Sequence, residues 1–137
     1  MSVNLFCLAA FAIANQIDLP SSDSKYDWLT SHSTTQEALN WLNSHRRRHG
    51  RKALVLDAEM SLRSWNHSLY MTQYGQMHSR NSGPEIVFVG PSSVKSAMYG
   101  FSQSFAHNRI MLGTSFRNVG IGVAKKYGRY AWTLNFR

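Results

Sequence analysis

The sequence predicts an α+β fold in which helices pack on a small antiparallel sheet that ends in a C-terminal β-hairpin. Apolar residues recur at helical spacing between capping patterns through most of the chain, whereas β-branched and aromatic residues dominate its end. Helices first and strands last are typical of an α+β domain. The 137 residues fit one compact domain with a short tail.

The first predicted helix spans about residues 35–49. Thr34 and Glu37 form a capping-box pattern, with Thr34 as the N-cap, and Gly50 supplies a stop signal. The apolar residues that follow the cap at helical spacing are Ala38, Leu39, Trp41 and Leu42.

The second predicted helix begins after Asp57 and ends at Gly75. A short extended stretch over residues 53–56 precedes it, and Asp57 is a favoured N-cap residue. Its predicted inner face carries Met60, Ser64, Trp65, Leu69 and either Met71 or Thr72.

Shorter elements are predicted between the second helix and the hairpin. Ser92 or Ser93 can cap a helix, and β-branched and aromatic residues favour a strand. In order, we expect a loop over 79–84, a strand over 86–89, a helix over about 93–101 and a helical turn or short helix over 104–112.

The C-terminal hairpin is the clearest β signal in the chain. Residues 119–124 and 130–136 are rich in β-branched and aromatic residues, and they flank a polar stretch over 125–129. Gly128 suits the turn because glycine adopts positive φ without steric cost.

The N-terminus carries an apolar stretch that predicts export. Leu5 to Ala14 is uncharged, but it is too short to cross a bilayer, which needs roughly 20 residues. Its end, Ala12-Ile13-Ala14, matches a signal-peptidase pattern, so we predict that residues 1–14 are a signal peptide cut before Asn15. The alternative is an apolar docking arm.

Residues 15–33 are predicted to be a linker, with Trp28 and Leu29 as an apolar anchor, and residues 34–137 the domain. No transmembrane span is expected. Cys7 is the single cysteine, so neither an internal disulfide nor a cysteine metal site can form.

The chain is strongly basic, with a formal net charge of +8 and a pI near 10.1. This charge favours polyanionic partners without choosing among nucleic acid, anionic lipid and anionic wall polymer. We interpret the basic run at the end of the first helix as a solvated basic face, with His45 and His49 beside it. The run contains Arg46, Arg47, Arg48, Arg51 and Lys52.

An ordered series of short motifs resembles the CAP superfamily (cysteine-rich secretory, antigen 5 and pathogenesis-related proteins), in its compact cysteine-poor bacterial or phage-type branch. The similarity covers about residues 36–137 and implies an α-β-α sandwich. The segments that carry it are Ala38-Leu39 with Asn43 and Arg46, Gly50 and Leu54, Asp57 with Met60 and Ser64, His78-Ser79, Glu85, Ser104 to Ile110, Gly120 to Val123, and Trp132 to Phe136.

The resemblance implies that His78, His107 and Glu85 meet in one cleft, with Ser79 and Ser104 beside them. Two imidazoles and a carboxylate can bind Zn²⁺ or another divalent metal with an open fourth position. Glu85 can instead orient a histidine, or the groups can form a hydrogen-bonded cluster that fixes the cleft.

The sequence departs from the family pattern near this predicted site. Phe101 stands where the family usually has Trp, and no second acidic residue of the family's His/Glu tetrad can be placed. Asp57 and Glu59 fit helix capping better.

The favoured function is a non-enzymatic extracellular domain, secreted or at the cell envelope, that binds a ligand or partner in this cleft. Its expected partners are an anionic envelope polymer, a lipid or a protein. A structural component of a virion or envelope assembly, with residues 1–33 as the docking arm, is one alternative.

A metal-assisted hydrolase is the other alternative. No sequence motif supplies a nucleophile, and HExxH is absent. Nucleic acid is the least favoured partner because no recognition motif accompanies the basic run.

Overall fold

The computed structural model describes residues 27–80 and 83–137. The predicted signal peptide, Cys7 and most of the predicted linker lie outside these residues. No helix in the described ranges is long and apolar enough to cross a membrane. The helices are α1 Asp27–Thr30, α2 Ser33–Arg48, α3 Ala58–Tyr74, α4 Val94–Gln103 and α5 Phe105–Met111, and the strands are β1 Val55–Leu56, β2 Glu85–Val89, β3 Asn118–Lys126 and β4 Arg129–Phe136.

The four described strands form one sheet in the order β1-β3-β4-β2. Strands β2 and β3 both run antiparallel to β4, and β1 adds a short parallel pairing at the edge next to β3. The ladder between β3 and β4 extends to Lys126 and Arg129. Tyr127 and Gly128, with φ of 54° and 71°, therefore make a two-residue turn, which confirms the predicted hairpin and shortens its loop.

Helices cover both faces of this sheet, so the predicted α-β-α sandwich is confirmed. On one face, a buried cluster joins residues of α2, α4 and α5 to alternate strand residues such as Ile121 and Leu134. On the other face, α3 packs through residues such as Met71, which contacts Val87 and Ala131. Because strand side chains alternate between the two faces and helices cover both, strand residues are buried on each face.

Helix α3 lies unusually close to strand β3. A Cβ atom added at Gly120 would lie 2.4 Å from the backbone carbon of Met60, and one at Gly122 would lie 2.0 Å from the backbone nitrogen of Trp65. Only glycine therefore fits at these two positions. The sequence prediction for this helix face included Ser64 but not Ser61 or Ser68, although all three are buried.

The buried serines of α3 satisfy polar groups of the sheet. Ser64 Oγ donates to Gly120 O at 3.3 Å, and Ser68 Oγ lies 2.8 Å from Gly122 O. Ser61 Oγ accepts from Ile121 N at 3.1 Å. Small hydroxyl side chains allow the close approach and fill the hydrogen-bonding needs that it creates.

Helix caps confirm two sequence predictions and correct a third. Asp57 caps α3 and Ser93 caps α4, each accepting from a backbone N–H three residues ahead. The predicted Thr34 cap is wrong because α2 begins at Ser33. Thr34 already lies in the first turn, and its backbone N–H donates to Nδ1 of the true N-cap, His32, at 3.3 Å.

Arg46 was predicted to lie on the solvated basic face, but this prediction is wrong because its side chain is fully buried. Its Nε donates to Lys52 O at 2.8 Å, and its Nη1 donates to Met111 O at 2.6 Å and Gly113 O at 3.0 Å. Met111 ends α5, so the guanidinium lies at the negative end of that helix dipole. Arg46 therefore joins α2 to the end of α5.

Burial also corrects the interpretation of His45, which is not part of the basic face. Its Nε2 lies 2.7 Å from Oδ1 of Asn108 on α5, and its ring stacks on Trp41. Burial lowers the pKa of His45 despite the opposing effect of this hydrogen bond. Arg47, Arg48 and Lys52 are exposed, as predicted, and half-buried Arg51 donates to Leu112 O at 2.8 Å.

We predict that Gly122→Ala lowers the free energy of unfolding by more than about 3 kcal/mol, because the new Cβ forces the α3 backbone away from β3. Lys126→Ala, on an exposed position of the same strand, should change it by no more than about 0.5 kcal/mol. Urea denaturation followed by circular dichroism measures both, and equal stability of the two variants would contradict the close contact.

We predict that Arg46→Ala destabilises the domain by roughly 3 kcal/mol or more, because it leaves buried carbonyl oxygens without donors. Arg46→Lys should not restore stability, since one ammonium group lacks the fork of donors that reaches these carbonyls. Exposed Arg48→Ala is the matched control and should be near neutral in the same denaturation experiment. A near-neutral Arg46→Ala would disprove the anchoring role.

Candidate functional site

Glu85 is the first residue of β2 and is the most buried part of the candidate site. It pairs with Asn135 of β4 in the sheet, and its side chain is only 5% exposed. Its Oε1 accepts from the backbone N–H of Ser79 at 2.7 Å, and its Oε2 accepts from Ser79 Oγ at 2.5 Å. These bonds satisfy the buried carboxylate and hold the segment that follows α3.

His78 is fixed by the same carboxylate. Its Nδ1 lies 3.2 Å from Oε1 of Glu85. Since a carboxylate only accepts hydrogen bonds, Nδ1 carries the proton in this contact. The side chain is 64% exposed, and within the described residues no hydrogen bond reaches Nε2. The second ring nitrogen is therefore available to a ligand.

His107 lies on α5, half-buried, with its ring edge-on to Phe101 at a centroid distance of 5.3 Å. Burial lowers the pKa of His107, and the charge of His78 lowers it further. No hydrogen bond or ring contact in the described ranges joins His107 to His78, and the effect of His78 on the pKa of His107 is the link between them. Because its pKa is lowered below 6.5, the His107 imidazole is neutral around pH 7.

Ser104 occupies the turn between α4 and α5, where its backbone N–H donates to Phe101 O at 3.2 Å. Its side chain makes no capping hydrogen bond. No hydrogen bond found among the described residues joins it to His78, Ser79, Glu85 or His107. Of the five predicted cleft residues, the structure brings together His78, Ser79 and Glu85, with His107 in electrostatic range.

The described residues do not fit a three-ligand metal centre. Across residues 27–80 and 83–137, no group of three His, Cys, Asp or Glu side chains is arranged to hold a metal ion. Both oxygens of Glu85 already accept hydrogen bonds from Ser79, and one of them contacts His78. Glu85 thus occupies the position of an acceptor that orients a histidine.

A pocket of about 560 Å³ opens beside His78 and Ser79. The sequence prediction missed the rest of its lining, because it considered the inner face of α3 and not the outer face. Arg63, His67 and Tyr70 recur at the spacing of one helix face, which was the available signal. The other lining residues are Asn66, Met77 and Arg80.

The CAP family model, described as the cysteine-rich secretory protein family, matches residues 39–136. A search of curated protein sequences finds no match.

Several solved structures share the fold. An outer surface protein of Borrelia burgdorferi is similar at a TM-score of 0.67 and 12% identity, covering 77% of this chain and 94% of that one. An extracellular protein of Bacillus anthracis that contains an SCP domain is similar at a TM-score of 0.63 and 21% identity, covering 74% of this chain and 40% of that one. A hookworm platelet inhibitor is similar at a TM-score of 0.60 and 11% identity, covering 74% and 67%.

We predict that His78→Gln raises the pKa of His107 toward its ordinary value. The substitution removes a positive charge that opposes protonation of His107, while the effect of burial stays, so the pKa should remain below 6.5. Titration of the ring protons by NMR measures the shift. His49→Gln is the control and should leave the His107 titration unchanged, and an unchanged His107 in the His78 variant would show that the two rings are apart.

Proposed function

Because this chain belongs to the cysteine-rich secretory protein (CAP) family, we propose that it acts outside the cell as a binding domain and not as an enzyme. The family match spans most of the chain and confirms the resemblance deduced from its motifs. The proposed binding surface is the exposed edge of His78, which buried Glu85 orients, together with Ser79 and His107. Its expected partner is an anionic component of a cell envelope, either a wall polymer or a lipid.

The observation that carries this proposal is the Glu85 contact, which orients an exposed imidazole. An exposed histidine side chain in water has several rotamers, and a ligand that binds one of them loses conformational entropy of the side chain as binding free energy. Here the buried carboxylate has already selected it, so His78 is pre-organised for binding. His107, whose pKa is lowered by burial and by His78, is the second imidazole that we include in this surface.

Hydrogen bonding at the site favours binding over catalysis. The Ser79 hydroxyl donates to Glu85, so it is directed to a carboxylate and not to a histidine base. An activated serine needs a hydrogen bond to such a base. A zinc-assisted reaction would need Glu85 as a ligand, whereas the carboxylate is engaged with Ser79 and His78.

The net charge and the similar structures support an extracellular role. A net charge of +8 attracts the chain to anionic surfaces over several ångströms, beyond direct contact. Two of the proteins of similar fold carry the descriptions "outer surface protein" and "extracellular protein".

We predict that the full chain is retained on purified bacterial cell walls that keep their teichoic acid, or on phosphatidylglycerol vesicles, at low salt. Retention should fall at roughly 1 M salt, where exposed charges are screened beyond about 3 Å. His78→Ala should weaken retention severalfold, whereas His49→Ala, an exposed histidine elsewhere, should not. The measurement is co-sedimentation, with phosphatidylcholine vesicles as the neutral control.

Two results would count against the proposal. The first is a wild-type chain that stays in the supernatant with both anionic surfaces at both salt concentrations. The second is retention that His78→Ala and His49→Ala reduce equally, because that would assign binding to overall charge.

A further inference from the structure

We propose that the pocket beside His78 binds an anionic group (a phosphate, sulfate or carboxylate) carried on a sugar unit of an extracellular polymer. This inference rests on the proposed function and names the ligand class of that surface. The pocket, called here the cationic pocket, is lined by Arg63, His67, Tyr70, His78 and Arg80 with three uncharged neighbours.

The lining of the cationic pocket has one sign of charge. Arg63 and Arg80 are permanent cations, and His67 and His78 add imidazoles, while none of the described lining residues is acidic. A concave surface with one sign of charge concentrates counter-ions of the opposite sign. Planar guanidinium groups also match the two-oxygen geometry of phosphate, sulfate and carboxylate.

Both arginines of the pocket are available to a ligand. Arg80 has no hydrogen bond or ion pair to any residue in the described ranges. Within the described residues, the one ion pair of Arg63 is with Glu59, at 3.9 Å between two exposed side chains, a weak pair that a ligand can replace at little cost. In contrast, Arg46 and Arg51 are committed to backbone carbonyls, and Arg137 is paired with Asp57 at 2.8 Å.

Aromatic rings extend one side of the pocket along α3. Tyr70 is 48% exposed and stacks on His67, with 6.3 Å between ring centroids and 17° between ring planes. The ring of Tyr74, also exposed, lies 4.5 Å from that of Tyr70. Exposed aromatic surface with a polar rim is typical of recognition sites. The exposed parts of these rings are the apolar surface that we expect the C–H side of a sugar to contact.

Pocket shape favours a sugar-borne anion over a lipid bilayer. A volume of about 560 Å³ falls in the usual range of small-ligand pockets and suits one or two sugar units. A bilayer presents a broad plane of headgroups, whereas a pocket of this volume can hold one discrete group. The ligand class is therefore a discrete anionic sugar group of a longer polymer.

The test uses the full chain and a heparin-derived hexasaccharide, which carries sulfate and carboxylate on sugar rings. Isothermal titration calorimetry should show binding of this probe and none of maltohexaose, a neutral hexasaccharide. The double variant Arg63→Gln/Arg80→Gln should weaken binding by about tenfold or more, since each lost charge-assisted contact costs severalfold or more in affinity. Arg47→Gln/Arg48→Gln removes the same charge from exposed positions outside the pocket and should weaken binding by less than about threefold.

Four results would overturn the inference: no binding of the hexasaccharide, equal weakening by the two double variants, equal binding of maltohexaose, or pocket-dependent binding of phosphatidylglycerol vesicles without binding of the sugar. Each of them can be separated from failure of the proposed function. If Arg63→Gln/Arg80→Gln is retained on cell walls like wild type while His78→Ala is not, the proposed binding surface stands and the cationic pocket is not its ligand site. Thermal unfolding of both double variants verifies that these exposed substitutions preserve the fold.

Discussion

The close contact between α3 and β3 determines how the rest of the domain is arranged. Gly120 and Gly122 allow the helix backbone to lie against the strand, and Ser64 and Ser68 supply the donors that this contact requires. Protein interiors are close-packed, so this short distance fixes where the α3 backbone lies against the sheet. Asn135 connects this contact to the candidate site. Its Nδ2 donates to Ser64 Oγ, and its backbone pairs with Glu85 between strands β4 and β2.

On the opposite face of the sheet, the charged side chain of Arg46 holds α2 against the end of α5. A buried guanidinium normally needs a carboxylate, because desolvation of an unpaired charge is costly. Among the described residues, Arg46 has no such partner and is stabilised by three carbonyl oxygens, two of them at the end of α5. Together with the His45–Asn108 hydrogen bond, it fixes the helix that carries His107. Each histidine of the site is thus held by a separate packing arrangement.

The site combines one buried carboxylate with one exposed imidazole. Both carboxylate oxygens of Glu85 accept hydrogen bonds from Ser79, and Oε1 also contacts His78. This contact fixes the orientation of His78 and leaves its Nε2 available to a ligand. The outer face of α3 adds Arg63 and aromatic rings next to this site, and the segment after the helix adds Arg80. Rigid placement of the histidine and exposure of the arginines are complementary, because orientation provides specificity and charge provides attraction.

The sequence by itself determined the elements that depend on local chemistry. The hairpin around Gly128, the caps at Asp57 and Ser93, and the motif series that predicted the CAP family all arise from neighbouring residues. Even the pairing of His78 with Glu85 was anticipated, but only through that resemblance.

Tertiary structure decided which environment each polar residue occupies. Three consecutive arginines look equally solvated in the sequence, yet Arg46 alone meets the end of a helix that begins 59 residues later, whereas Arg48 is exposed. Ser61 and Ser68 look like surface residues until the glycines of β3 bring the sheet against them. From the sequence, Glu85 could be either a metal ligand or an acceptor that orients a histidine. The contacts of its two oxygens favour the orienting role, because hydrogen bonds depend on distances that spacing along a chain does not specify.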